Sequence, residues 1–230
     1  QKVVQSISKF YEEASRDALL KVVSGEDNPE ILDSAFLGMG HFPDDSVESA
    51  LTEALTMESY RHGIASAAIG GMRKNGNPEF AARIHDHLVA NVDRFEDRSL
   101  GSALDNLAVL SQELPDAERE EIRVFIADFV RDPRQTVRVD AIKALATLKD
   151  PRSVALLESL QGDGDRDTPE SDAARKALGS LNSEKSQTGE VRDLRKEVLD
   201  LQNQIRAIQD SMDTMKKKME PEEKKEKQDQ

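Results

Sequence analysis

The sequence predicts an all-α protein, an α-solenoid of stacked helix pairs followed by a coiled-coil helix. Three observations predict it. One-third of the 230 residues are charged, only 4% are aromatic and none is tryptophan, so burial falls to Ala, Leu, Ile and Val, a balance that favours helices over sheets. A motif of small and large apolar residues recurs five times at the period of a helix pair. A further apolar run near the C-terminus keeps strict heptad spacing. With 37% hydrophobic residues the chain is too poor in apolar side chains for one thick core, and no stretch alternates apolar and polar residues long enough to argue for a strand.

The recurring motif is Ala-x-x-x-Leu-Ala-x-Leu, clearest at Ala141, Leu145, Ala146 and Leu148. The same offsets give Ala35, Met39, Gly40 and Phe42, then Ala65, Ile69, Gly70 and Met72, then Ala103, Leu107, Ala108 and Leu110, and last Ala174, Leu178, Gly179 and Leu181. Between Met39, Ile69, Leu107, Leu145 and Leu178 the steps are 30, 38, 38 and 33 residues, too long for heptads and suited to helix pairs. Large residues at i, i+3 and i+4 mark one face of a helix, and the Ala or Gly after the large residue admits a close neighbour. Gly38, Gly40, Gly70 and Gly71 therefore serve packing or helix ends, not phosphate binding. Turns are expected at 41–44, 75–78, 114–116 and 149–151. A second amphipathic helix follows each, carrying Val47, Leu51, Ala54 and Leu55, then Phe80, Ile84, Leu88 and Val92, then Ile122, Phe125, Ile126 and Phe129, then Val154, Leu157 and Leu160. Pro78, Pro151 and Pro169 suit first helical positions, and Asp44, Asp116 and Thr168 suit N-caps.

Gln135-Thr-Val-Arg-Val-Asp-Ala-Ile-Lys-Ala-Leu-Ala-Thr-Leu-Lys-Asp-Pro-Arg152 resembles the short HEAT-like repeats of phycobilisome lyases, including Arg138 and the Asp150-Pro151 turn. The helix pairs are accordingly expected to be HEAT-like. The order of variants extends the resemblance: a Tyr60-Arg-His-Gly-Ile-Ala-Ser-Ala-Ala copy, a long copy ending Leu114-Pro-Asp-Ala-Glu-Arg-Glu-Glu121, then the near-consensus copy. Over roughly residues 15–182 this succession resembles the C-terminal HEAT-like extension of bacterial zinc aminopeptidases of the aminopeptidase N family. That family's Gly-Ala-Met-Glu-Asn and His-Glu-x-x-His motifs do not occur here, so no catalytic residue, cofactor or metal ligand carries over. The resemblance implies that the chemistry, and any zinc, belongs to an upstream part. The Gln1 start and the lack of a signal-like segment also lead us to expect a fragment or a processed chain. A free-standing scaffold with no enzyme attached is the alternative.

The formal charge is −13, and residues 184–230 hold 11 basic and 12 acidic side chains, so about −12 lies in residues 1–183. Duplex nucleic acid would be repelled, while a protein or basic peptide would be attracted to the solenoid. No apolar run approaches the roughly 18 residues of a membrane span, so no membrane partner is expected. Without cysteine there is neither a disulfide nor a thiolate metal site. His85 and His87 are two apart, point some 200° from one another on a helix and cannot share a metal without distortion. His41 and His62 are expected at the surface near helix ends. The 162–167 stretch resembles part of a calcium loop but has Ala174 where the twelfth-position Glu would stand, and is expected to be a flexible loop.

After a linker at 183–189, apolar residues fall at Val191, Leu194, Val198, Leu201, Ile205, Ile208, Met212, Met215 and Met219, alternating steps of three and four. Four such heptads specify a left-handed coiled coil over 190–219. β-Branched Val191, Val198 and Ile205 at a, with Leu194 and Leu201 at d, favour a parallel homodimer, in which Glu190 can meet the partner's Arg195. These nine residues are the expected oligomer interface. A helix of another protein, or the chain's own solenoid (1–182), could cover the stripe instead. Pro221 should end the helix, leaving 220–230 as a disordered charged tail.

Overall fold

The computed structural model describes residues 1–10, 12–161 and 168–183, and they hold helices and turns without a strand. Residues 1–181 make up one compact unit; the second, 182–230, lies almost entirely outside the described residues. In chain order the helices are α1 (Lys2–Ile7), α2 (Glu13–Gly25), α3 (Pro29–Met39), α4 (Asp45–Ala54), α5 (Gly63–Asn75), α6 (Phe80–Asn91), α7 (Asp97–Leu110), α8 (Asp116–Asp128), α9 (Gln135–Thr147) and α10 (Val154–Leu160). Residues 169–183 form a further helix, α11. Single 3-10 turns at Tyr60–His62, Val92–Arg94, Phe129–Arg131 and Pro151–Ser153 join several of them.

Two layers result. The odd-numbered helices α3, α5, α7 and α9 pack side by side, and α4, α6 and α8 lie on them. The repeat register predicted above is the register of the core. Met39, Ile69, Leu107 and Leu145 are fully buried and Leu178 nearly so, and Ala35, Ala65, Ala103, Ala141 and Ala174 are buried beside them. The glycines let backbones touch: a Cβ on Gly71 would stand 2.5 Å from the Phe36 carbonyl oxygen and 2.7 Å from Leu51 Cδ2. Gly76, with φ 79°, ends α5 in a left-handed cap that glycine adopts without strain.

Helix starts match the sequence in part. Asp44 caps α4 by accepting from the Ser46 N–H at 3.0 Å, Asp150 accepts from the Arg152 N–H at 2.9 Å, and Thr168 Oγ1 accepts from the Ser171 N–H at 3.1 Å. Asp116 does not cap. Pro115 holds the extended N-cap position of α8, and Asp116 is already its first helical residue, where its carboxylate pairs with Arg119. Pro78 stands two residues before α6, outside it. One pair of helices was not expected: α1 and α2 precede the first recognised copy, with Val4 and Leu19 buried and Ser8 seated where α1 crosses Gly38, 2.6 Å from a Cβ placed there.

Polar contacts one repeat apart tie the pairs together. Asn75 Nδ2 donates to the Phe42 carbonyl at 3.1 Å, Arg83 to Thr52 at 2.6 Å and Gln112 to the Thr147 carbonyl at 2.6 Å. Arg138, singled out by its repeat, reaches two ways: it donates to the Asp132 carbonyl at 2.8 Å and to Glu170 at 2.6 Å, joining α9 to α11. Burial alone would raise the Glu170 pKa, but its backbone hydrogen bond and the Arg138 guanidinium hold it below the usual carboxylate range.

Candidate interaction surface

Clefts open on the solenoid between its helices. One, about 540 Å³, lies between α9 and α11, where Lys143, Lys176 and Asp172 mix both signs of charge. A second, about 300 Å³, spans α5, α7 and α9 and holds Arg73 and Lys143 against Asp105 and Asp140. Its charges satisfy one another, with Lys143 Nζ 2.8 Å and Arg73 3.9 Å from a carboxylate.

The third, about 420 Å³, lies between α6 and α8 and differs in kind. Both helices pack on α7 and make little contact with one another, which leaves a seam. Its floor is Ala82, Leu114 and the buried Ile122; its rim is Glu79, Asp86, Glu118 and Glu121, and no Lys or Arg lines it. The rim carboxylates come from helical spacing. Glu79, the N-cap of α6, falls on the same face as Ala82 and Asp86, and Glu118, Glu121 and Ile122 share one face of α8. All four are exposed, and none has an ion-pair partner among the described residues. The carboxylates on the other flank of α8 are paired: Glu120 with Arg123 at 2.6 Å and with Arg152 at 3.1 Å, and Asp116 with Arg119. Arg152 in turn neutralises the wholly buried Asp150 at 2.5 Å, and its hydrogen bonds outweigh desolvation to hold that carboxyl below its ordinary value. At the seam, His85 packs edge-on against Phe125, ring centroids 4.7 Å apart.

The histidines correct one expectation. His62 is not at the surface but 4% exposed. Its backbone, like that of Arg61, is left-handed, with φ 51° and 52°, and this turn swings the ring inward. The ring lies 5.2 Å from Phe95 and 5.6 Å from His87, centroid to centroid. Neither His62 ring nitrogen has a hydrogen-bond partner among the described residues, nor does His87 Nε2. Desolvation lowers both pKa values; Arg94 lowers both further, and His62 that of His87, while Glu58 opposes on His62. His85 and His87 do point to different neighbours, as the 200° argument requires: Phe125 for one, Phe95 for the other. His41 is half-buried rather than free in solvent, and burial followed by Lys74 lowers its pKa.

A family model described as PBS lyase HEAT-like repeat matches residues 137–163, which begin in α9 and run beyond α10. The described residues form an all-α solenoid of helix pairs, in which the stretch 137–163 is similar to a HEAT-like repeat. No curated protein matches the chain. The HEAT-like pairing explains why the motif residues all fall in the odd-numbered layer while the acidic seam belongs to the even-numbered one. Among the described residues no group of three or more His, Cys, Asp or Glu could hold a metal, and no helix is long and apolar enough to cross a membrane. The expected oligomer interface, Val191 to Met219, and the 162–167 loop lie outside the described residues. Sequence reasoning missed the α6/α8 seam. Its signal was present as two pairs of unpaired acids, Glu79 with Asp86 and Glu118 with Glu121, but their meeting depends on how two helices that begin 36 residues apart are stacked.

Proposed function

We propose that this chain is a non-catalytic protein-interaction module that binds basic proteins or peptides on its acidic solenoid and self-associates through its C-terminal heptads. The observation that carries the binding half is a stack of HEAT-like repeats bearing about −12 of net charge, since a repeat stack offers a long continuous surface and its field attracts basic partners. The heptad spacing from Val191 to Met219 supports self-association, because a lone helix cannot bury its own apolar stripe. The variant succession over roughly 15–182 supports a place at the C-terminal end of an aminopeptidase N-like zinc enzyme. A His-Glu-x-x-His motif upstream in the gene would establish that place, and an upstream sequence without one would remove it.

The oligomer is tested by light scattering. Replacing Leu194 and Leu201 with Asp puts like charges into a dimer seam while leaving residues 1–182 their own burial, so the variant should be monomeric and still helical. Equal monomer masses for the unmodified chain and the variant at tens of micromolar would eliminate self-association.

A further inference from the structure

Of the three clefts described above, only the α6/α8 seam joins an apolar floor to carboxylates with no lining cation. Three acids near the seam are neutralised within the chain: Glu120 by Arg123 and Arg152, Asp150 by Arg152, Asp116 by Arg119. Glu79, Asp86, Glu118 and Glu121 are left to solvent on both sides of a slot whose floor is Ala82, Leu114 and Ile122. We propose that the α6/α8 seam is the docking site for a basic segment of a partner protein, a short stretch in which one or two bulky apolar residues are flanked by Lys or Arg. This rests on the reading of the chain as a module for basic partners and assigns that recognition to one place.

Charge and shape each do part of the task. The apolar side chain displaces water from Ile122 and Leu114, which gives the association its area-dependent term. The flanking cations meet Glu79 and Asp86 along α6 and Glu118 and Glu121 along α8, which sets register and speeds encounter. Facing carboxylates on two separate helices discriminate against an acidic segment by repulsion and against an uncharged one by leaving the rim unpaired. His85, stacked edge-on against Phe125, adds an aromatic wall beside the rim. Val89, 59% exposed, continues the α6 stripe one turn beyond His85 and extends its apolar contact.

The test is fluorescence anisotropy with the full chain and a labelled peptide of sequence Lys-Arg-Ala-Leu-Phe-Lys-Arg. Two further peptides serve as comparisons, one with Ser in place of Leu and Phe and one with Glu in place of every Lys and Arg. The Glu118→Lys/Glu121→Lys variant should weaken binding of the first peptide by about tenfold or more, as charge reversal at a contact does. The neutral Glu118→Gln/Glu121→Gln variant should fall between. Glu53→Lys/Glu158→Lys, which makes the same change in net charge on exposed positions of α4 and α10, should stay within about twofold. The Ser peptide should bind more weakly than the first and the Glu peptide not at all. All four positions are exposed, so the variants should keep the parent circular dichroism and melting midpoint. Equal weakening by the two Lys variants would overturn the seam as the site while leaving a diffuse acidic surface for basic partners. No binding of the basic peptide to the unmodified chain would overturn both.

Discussion

In the layer formed by α3, α5, α7 and α9, neighbouring helices approach through Gly40, Gly70, Gly71 and Gly101, and each presents a fully buried large side chain, Met39, Ile69, Leu107 or Leu145. In the layer of α4, α6 and α8, helices rest on the odd-numbered ones and leave a seam between α6 and α8 whose rim stays charged and exposed. The first layer spends its sequence on closeness and the second on surface. Small residues bring backbones together, and dispersion and burial then accrue over the whole contact. Where helices stay apart, side chains are free to carry charge, and the repeat can vary there without losing its core. This is why a repeat scaffold concentrates recognition away from the residues that define it.

The comparison can be broken at its strong side first. Leu145 is fully buried in α9 between neighbouring repeats. Leu145→Ala should cost about 2 to 5 kcal/mol, the range for a buried large-to-small change, and should lower the melting midpoint measured by circular dichroism. An unchanged midpoint would show that the odd-numbered layer does not hold the fold.

A smaller effect should come from the joint between the layers, where α5 begins against the end of α6. His62 is buried and His87 half-buried beside Phe95, with the ion pairs Arg94–Glu58 and Arg61–Glu96 nearby. Both folded pKa values lie below the ordinary histidine value of about 6.5, so the unfolded chain takes up protons first as pH falls. Stability is therefore full above about 6.5 and is lost progressively as pH drops from there toward the folded values. The lowered carboxyls Asp44, Asp132, Asp150 and Glu170 act in a separate window, below about 4.5, where protonation removes their hydrogen bonds and ion pairs. Melting curves between pH 7.5 and 5 check the histidine window, and a midpoint that does not fall across it would mean that both imidazoles reach solvent when charged.

Much of the odd-numbered layer was legible in the sequence, because its rule is periodic: the Ala that opens each of the five copies and the large residues that follow it are buried from Ala35 to Leu181, while the small residue after the large one is half-buried at Gly70 and Ala146 and exposed at Gly179, where no neighbour comes close. The second helices were legible from Val47, Ile84, Ile122 and Leu157, which are all buried. What escaped has local causes. The α1/α2 pair lacks the motif, since a six-residue helix cannot display it and Ser8 takes the close contact. His62 stands among polar neighbours, and only the left-handed turn at Arg61 and His62, a strained conformation for residues with a Cβ, carries its ring inside. Pro115 fixed an extended backbone one residue earlier than expected and moved Asp116 into the helix. The seam escaped because it is a property of two helices and the space between them, and the heptad interface falls outside the described residues.

Hydrogen–deuterium exchange of the full chain, with and without the Lys-Arg-Ala-Leu-Phe-Lys-Arg peptide, compares the two layers in a single measurement. Backbone amides of α5, α7 and α9 should exchange slowly in both states, since they lie under the glycine and leucine contacts. Amides of α6 and α8 should exchange faster in the free protein and gain protection when the peptide is bound. A peptide footprint on α9 and α11 instead, or odd-numbered helices that exchange as fast as α6 and α8, would contradict the division of the solenoid into a layer that holds the fold and a layer that recognises.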